Sequence, residues 1–247
     1  MSIIYLSPSQ KSNAYLGGGD ERTVMNQIAD AMLPALRANG IKCVRSKSNS
    51  SSAQVIRESN SEFYDLHLAL YSNASPENMS GKRMGSDIFY FTYGNRAKKA
   101  AEVIADNYKK IYPYPDLVKA VPTTQIPEIT KTSAPALLIQ CAYHDSEQDV
   151  KWLQSNINTI ALNLVEGITR YFEIPFLDKA QPVTDGLVNI EKGRLSMHRK
   201  PDANADIIMQ VPNRAKIFVL GVWNDWYIMD YKGNVGYAAA KYVEVRK

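Results

Sequence analysis

Asp65-Leu66-His67-Leu68-Ala69-Leu70-Tyr71-Ser72-Asn73-Ala74 is the stretch that decides the fold. Its Leu66–Leu70 segment is apolar on both faces of a strand, and it then breaks abruptly into small polar residues. A strand covered on both faces belongs at the centre of a parallel sheet flanked by helices. In such sheets ligands sit just beyond the carboxyl ends of the central strands, which nominates Tyr71, Ser72 and Asn73 as site residues. His67, four residues before Tyr71, reads as a core histidine holding a hydrogen bond.

Working outward, Ala136-Leu137-Leu138-Ile139-Gln140-Cys141 is a second run of the same kind. Ile3–Leu6, Ile41–Val44 and Ser86–Phe91 read as further strands. Helical patterns lie between them. Val24, Ile28, Met32 and Leu36 recur every four residues, with Pro34 expected to kink the helix and Asn39-Gly40 to end it. Ser52–Asn60, Ala97–Ile111 and Asn156–Phe172 are the others, and Val121–Thr132 reads as extended and punctuated by proline. The alternation predicts an α/β domain with a mostly parallel sheet covered by helices.

The composition, 45% apolar and 22% charged, excludes a disordered chain. No apolar run reaches the ~20 residues of a membrane span. The N-terminus lacks the basic flank and apolar length of a secretory signal, so synthesis in the cytoplasm is expected. Gly17-Gly18-Gly19 is a turn without a phosphate-loop pattern, and no Gly-x-Ser-x-Gly elbow occurs. Cys43 and Cys141 fall in predicted strands and read as small buried hydrophobes.

From Gly186 the period changes to two. Leu195–Met197, Ile207–Val211, Lys216–Val222, Tyr227–Tyr231 and Val235–Ala238 read as short strands separated by turn residues, a small all-β barrel. The expected division is therefore 1–176, a linker at 177–186, and a barrel at 187–247. Residues 187–247 carry ten Lys/Arg and six Asp/Glu, and residues 1–186 carry nineteen of each, so the net charge of +4 lies in the barrel. That suits an anionic partner such as a wall polymer. Basic and aromatic residues do not interleave there as in a nucleic-acid surface, and no nucleic acid is expected.

Two resemblances add to this. Leu70-Tyr71-Ser72-Asn73-Ala74 resembles the strand ending His-x-Asn-Ala in zinc-dependent N-acetylmuramoyl-L-alanine amidases, which are cell-wall hydrolases. The C-terminal segment is similar to bacterial SH3 (SH3b) domains, through Gly186-x-Val188, Leu195-x-Met197-His198-Arg199-x-Pro201, Trp226-Tyr227, Gly233 and Gly236-Tyr237. Together they imply peptidoglycan as partner and zinc as the family's cofactor. The amidase family holds zinc with a His after the first strand, a Glu opening the first helix and a His ending the central strand, and uses a Glu on a later strand as catalytic base. The resemblance places Gln10 (in Ser7-Pro8-Ser9-Gln10) at the first His, Glu21 at the helix Glu, Tyr71 at the second His and Gln140 at the catalytic Glu.

Three of these four positions have lost the chemistry. Gln is a weak neutral oxygen donor, a neutral phenol binds zinc poorly, and Gln140 cannot accept a proton. Asn73 matches the family's Asn, either contacting substrate or capping the loop. His144 could fold back to contact substrate or to build a new metal site with Glu21. In the barrel, Trp226 and Tyr237 are the expected wall-binding aromatics, beside Trp223 and Tyr227. The expected function is a non-catalytic wall-binding or phage-associated protein in which zinc is absent or weakly bound. The alternative is an active amidase, an autolysin or endolysin, with an atypical metal site.

Overall fold

The computed structural model describes residues 2–245. Its first part alternates strand and helix: β1 (Ser2–Pro8), α1 (Glu21–Ala38), β2 (Ile41–Arg45), α2 (Ser52–Ser59), β3 (Leu66–Asn73), β4 (Ser86–Phe91), α3 (Asn95–Tyr108), β5 (Val118–Thr123), α4 (Pro127–Thr130), β6 (Ala136–Tyr143), α5 (Glu147–Ser155) and α6 (Ile157–Phe172). The six strands form one sheet in the order β2-β1-β3-β6-β4-β5. β3 lies between β1 and β6 and runs parallel to both, with Leu68 facing Leu6 on one side and Leu137 on the other. β4 is antiparallel to β6 and parallel to β5, so the sheet is mixed but mostly parallel. Leu66, Leu68, Ala69 and Leu70 are fully buried, as a strand covered on both faces requires.

Local chemistry sets the helix ends. Glu21 opens α1 and Arg37 lies in its last turn, each favourable to the helix dipole. The helix continues through Pro34, and Gly40, at φ +74°, follows its end. Ser51 and Gln54 form a reciprocal capping box on α2. The stretch expected to be extended over Val121–Thr132 instead breaks after β5 and makes the single turn α4. Pro127 at its first position presets the helical φ there.

α3 and α6 are held by a pair of buried amides. Asn107 Nδ2 donates to the Asn163 carbonyl at 2.7 Å, and Asn163 Nδ2 donates to the Asn107 carbonyl at 2.9 Å. Gly167 allows the approach, since a Cβ there would meet Ile104 Cγ1 at 3.1 Å and Ile104 Cα at 3.3 Å.

The second part is an antiparallel β structure: β7 (Thr184–Val188), β8 (Arg194–His198), β9 (Ile207–Pro212), β10 (Lys216–Trp223), β11 (Trp226–Tyr231), β12 (Asn234–Ala239) and β13 (Val243–Val245), ordered β13-β7-β10-β11-β12-β8-β9. Val188, Leu195, Met197, Val211, Val219 and Met229 are among its core residues. The five strands expected from the period-two pattern are all present. β7 and β13 are added, and β7 begins within the stretch expected as a connection.

The chain divides into two compact units. One comprises residues 4–32 and 44–171; the other comprises 2–3, 33–43 and 172–245. Tyr237 belongs to the second. Its ring is fully buried and its hydroxyl donates to the Asn39 carbonyl at 3.0 Å within the same unit. The expectation that Tyr237 touches a wall polymer is therefore corrected: it has no exposed face to offer. His198 is likewise buried, with Nδ1 donating to the Ala205 carbonyl at 2.9 Å. Neither cysteine is in a disulfide; Cys141 is buried and Cys43 only half-buried.

Replacing Asn107 by Ala removes its buried amide's bond to the Asn163 carbonyl and the acceptor of Arg170 Nη1. The expected loss is about 2 kcal/mol, read from the urea midpoint at constant slope. An unchanged midpoint would show that the amide pair contributes nothing net.

Candidate functional site

The loop after β1 is pinned at its start by the Ser9 amide donating to the Leu70 carbonyl at 2.8 Å. It turns through Gly17, Gly18 and Gly19, all at positive φ, and enters α1 at Glu21. Gln10 lies in this loop with both ends of its amide committed. Nε2 donates to the Pro8 carbonyl at 3.1 Å and Oε1 accepts from the Asn49 amide at 3.1 Å. Glu21 is fully buried. Its Oε2 accepts from Asn13 Nδ2 at 2.6 Å, and Oε1 has no hydrogen-bond partner among the described residues.

On β3 the side chains alternate between the faces of the sheet. His67 and Tyr71 share the face covered by α2 and α4. Tyr71 Oη donates to Glu128 Oε2 at 3.1 Å, and Glu128 Oε1 lies 3.0 Å from His67 Nε2. His67 Nδ1 lies 2.8 Å from Ser59 Oγ, and the imidazole stacks on Tyr5 at 5.3 Å. The result is a buried chain, Ser59–His67–Glu128–Tyr71. Burial works to raise the Glu128 pKa. The hydrogen bond and charge of His67, with Ser7 and Tyr71, more than offset it, so this carboxyl sits below its ordinary value. Burial pushes the Tyr71 phenol far above its ordinary value, and the Glu128 charge adds to the effect. Tyr71 is accordingly a neutral donor.

Gln140 lies beside Tyr71 in register on β6, with Asp87 on its other side on β4. Asn73 caps the following loop, its Oδ1 accepting from the Ala74 amide at 2.9 Å, while Nδ2 donates to Asp87 Oδ2 at 3.2 Å. Burial raises the Asp87 pKa. His144 does fold back, but onto β3. Its Nδ1 lies 3.0 Å from Ser72 Oγ, its amide donates to the Asn73 carbonyl, and its ring stacks on Tyr15 at 5.8 Å.

The donor set does not fit the zinc that the family resemblance implies. Three-ligand zinc sites use imidazole, thiolate or carboxylate. Among the described residues no three His, Cys, Asp or Glu side chains converge. Gln10 is spent on backbone groups and the Tyr71 hydroxyl on Glu128, in surroundings that oppose the tyrosinate a metal would need. Glu21, with its unpartnered oxygen, is the one member suited to a cation. The structure thus brings Tyr71 and Gln140 side by side and ties Asn73 to Asp87 on β4, across β6. Trp226 is half-buried in the barrel. Glu128, Ser59 and Tyr15 escaped the sequence reading. A glutamate just after Pro127 was the available signal for the first.

The lowered Glu128 pKa has a defined sign. The charged form is favoured in the folded state, so its stabilisation is full above the ordinary value of 4.5 and is lost as the pH falls through the folded value. Between pH 7 and pH 3 the wild-type urea midpoint is expected to fall further than that of Glu128→Gln. Equal falls would remove Glu128 from the acid response. His67→Ala, which leaves Glu128 buried without its main partner, is expected to cost about 3 kcal/mol at pH 7.

Comparison with known proteins agrees with this architecture. The family model described as N-acetylmuramoyl-L-alanine amidase matches residues 9–170, and that of the bacterial SH3 domain matches residues 193–244. No curated protein matches the chain. Among solved structures, the amidase AmiC2 of Nostoc punctiforme superposes with a TM-score of 0.61 at 17% identity, covering 70% of this chain and 97% of that one. The amidase Ami1 from Mycobacterium smegmatis gives 0.62 at 15%, covering 69% and 96%. The catalytic domain of the CD27L endolysin, targeting Clostridia difficile, gives 0.58 at 20%, covering 69% and 97%. At these identities the likeness speaks for the fold. The family match spans more than half of the sequence, and the chain belongs to the N-acetylmuramoyl-L-alanine amidase family, with a bacterial SH3 domain following.

Proposed function

We propose that this protein targets peptidoglycan, or an anionic polymer attached to it, and keeps the amidase fold for recognition rather than for zinc-dependent cleavage. One observation carries the reading. Where the resemblance puts the family's catalytic carboxylate this chain has Gln140, in register with Tyr71, whose hydroxyl donates to Glu128. Hydrolysing an amide requires a base to take a proton from water and an electrophile to hold the developing oxyanion. A neutral amide accepts no proton at neutral pH, and a phenol bound to an internal carboxylate is a poor metal ligand. The carboxyl ends of β3 and β6 then offer hydrogen-bonding groups, Asn73 and Gln140 among them, to a wall fragment. The barrel supplies the second contact, and its positive charge suits an anionic wall. The division at 177–186 into a recognition domain and a tethering domain, acting at the bacterial wall in a cellular or phage setting, belongs to the same reading.

A second reading, an active amidase with an atypical metal site, is favoured by one feature. Glu21 keeps a fully buried oxygen without a partner among the described residues, as a carboxylate awaiting a cation would.

Purified sacculi incubated with the protein and excess zinc separate the two. The expected outcome is no release of L-alanine amino termini, by wild type or by Glu21→Ala, while the wild-type protein pellets with the sacculi. Release that disappears in Glu21→Ala would establish the second reading and overturn the first.

A further inference from the structure

The last carbonyls of a helix have no partner within it. At the end of α1 the Asn39 carbonyl finds one 198 residues along the chain, accepting from Tyr237 Oη on β12 at 3.0 Å. Asn39 and Tyr237 are both fully buried. We propose that the Tyr237 face of the barrel is an interaction surface whose partner is the chain's own α1–β2 corner, so that the barrel stays docked on residues 33–43 after the connection at 178–183 is cut.

Two glycines make the fit. Gly40 lies at φ +74°, and a Cβ there would stand 3.1 Å from Tyr237 Cζ and 3.1 Å from its Oη, so the ring packs on bare backbone. A Cβ on Gly221 of β10 would stand 2.9 Å from Leu177 Cδ1 and 3.5 Å from the Ala38 carbonyl oxygen. Leu33 and Ile41 line a cavity of ≈ 260 Å³ together with Val235 of β12. The start of the connection is fastened to the same corner. Asn39 Oδ1 accepts from the Leu177 amide at 2.6 Å, and Nδ2 donates to the Leu177 carbonyl at 3.1 Å. Residues 178–183 beyond it are exposed.

The buried contact decides the balance. Without the corner, the Tyr237 hydroxyl loses its acceptor and its ring loses the backbone it packs on; without the barrel, the helix-end carbonyl loses its donor. Burial pushes the Tyr237 phenol well above its ordinary pKa, so it stays a donor at neutral pH. The Arg37–Asp230 pair at 3.4 Å adds little, since Arg37 is half exposed and water screens it. A barrel seated in this way differs from a module held only by its linker. Its core continues into residues that precede β3 in the chain, and a protease that severs 178–183 leaves it in place, whatever polymer the barrel binds.

The test places a recognition sequence for a site-specific protease between Lys179 and Ala180, both exposed, in the full chain. After cleavage, the protein is expected to run as one species on gel filtration at micromolar concentration and as two bands under denaturing conditions. Tyr237→Phe keeps the ring and strands the Asn39 carbonyl, and it is expected to weaken the association of the two pieces about tenfold, read by dilution. Gly40→Ala drives a Cβ against the ring and is expected to separate the pieces on cleavage. Circular dichroism of the uncut chains checks that both variants are folded, and Tyr237→Phe alone decides if Gly40→Ala is not. Two separate species from the cleaved wild-type chain overturn the proposal. So does an association that a folded variant leaves unchanged, since the pieces would then be held elsewhere.

Discussion

Beneath the carboxyl ends of β3 and β6, Glu128 is shared between an imidazole and a phenol. His67 is held on its other side by Ser59 and stacked on Tyr5, so a continuous polar chain crosses from α2 through the strand to α4. Polar groups buried this deeply are tolerable only when every member is satisfied. That requirement fixes the one-turn helix α4 against the sheet and decides where Tyr71 points. A phenol donating to an internal carboxylate has its hydroxyl proton committed there, so the chemistry at the carboxyl end of β3 depends on a contact beneath it.

Much of the fold is legible in the residues. β3 and β6 announce themselves as apolar runs ending in polar residues. The helices show a four-residue apolar spacing that only one covered face explains. Gln10, Glu21, Tyr71 and Gln140 could be nominated because local motifs surround them. Glu128 could not. It lies in a proline-punctuated stretch with no periodicity, and its partners are 57 and 61 residues away along the chain. A contact of that kind is created by strand order, which local pattern does not encode. The pairing of His144 with Ser72 arose in the same way. His144 was expected to fold back, but its partner was set by the register of β3 against β6.

The barrel draws the same distinction between two aromatics. Trp226 and Tyr237 belong to neighbouring antiparallel strands and looked equally suited to a wall polymer. Tyr237 pairs with Ile228 in the register and is fully buried, whereas Trp226 opens β11 at a turn and is half-buried. Alternation assigns each residue a face, but it does not say which face is covered. The hydroxyl of Tyr237 needed a buried acceptor, and the Asn39 carbonyl supplies one.

The pattern of replacement at the sheet edge has an electrostatic logic on the wall-targeting reading. Glu21 and Glu128 are both buried, and only Glu128 has an imidazole beside it. A carboxylate at position 140, next to Tyr71 and with Asp87 on its other side, would add an anion in a region where burial already raises the Asp87 pKa. A divalent cation would balance such a cluster; without one, each added charge bears its full desolvation penalty. Glutamine keeps the size and hydrogen-bonding capacity of glutamate and removes the charge. Tyrosine at position 71 fills the site with a group that stays neutral and satisfies Glu128. On that reading, neutral side chains at positions 71 and 140 let the same sheet and loops persist without a cation. Glu21 can remain because Asn13 supports one of its oxygens.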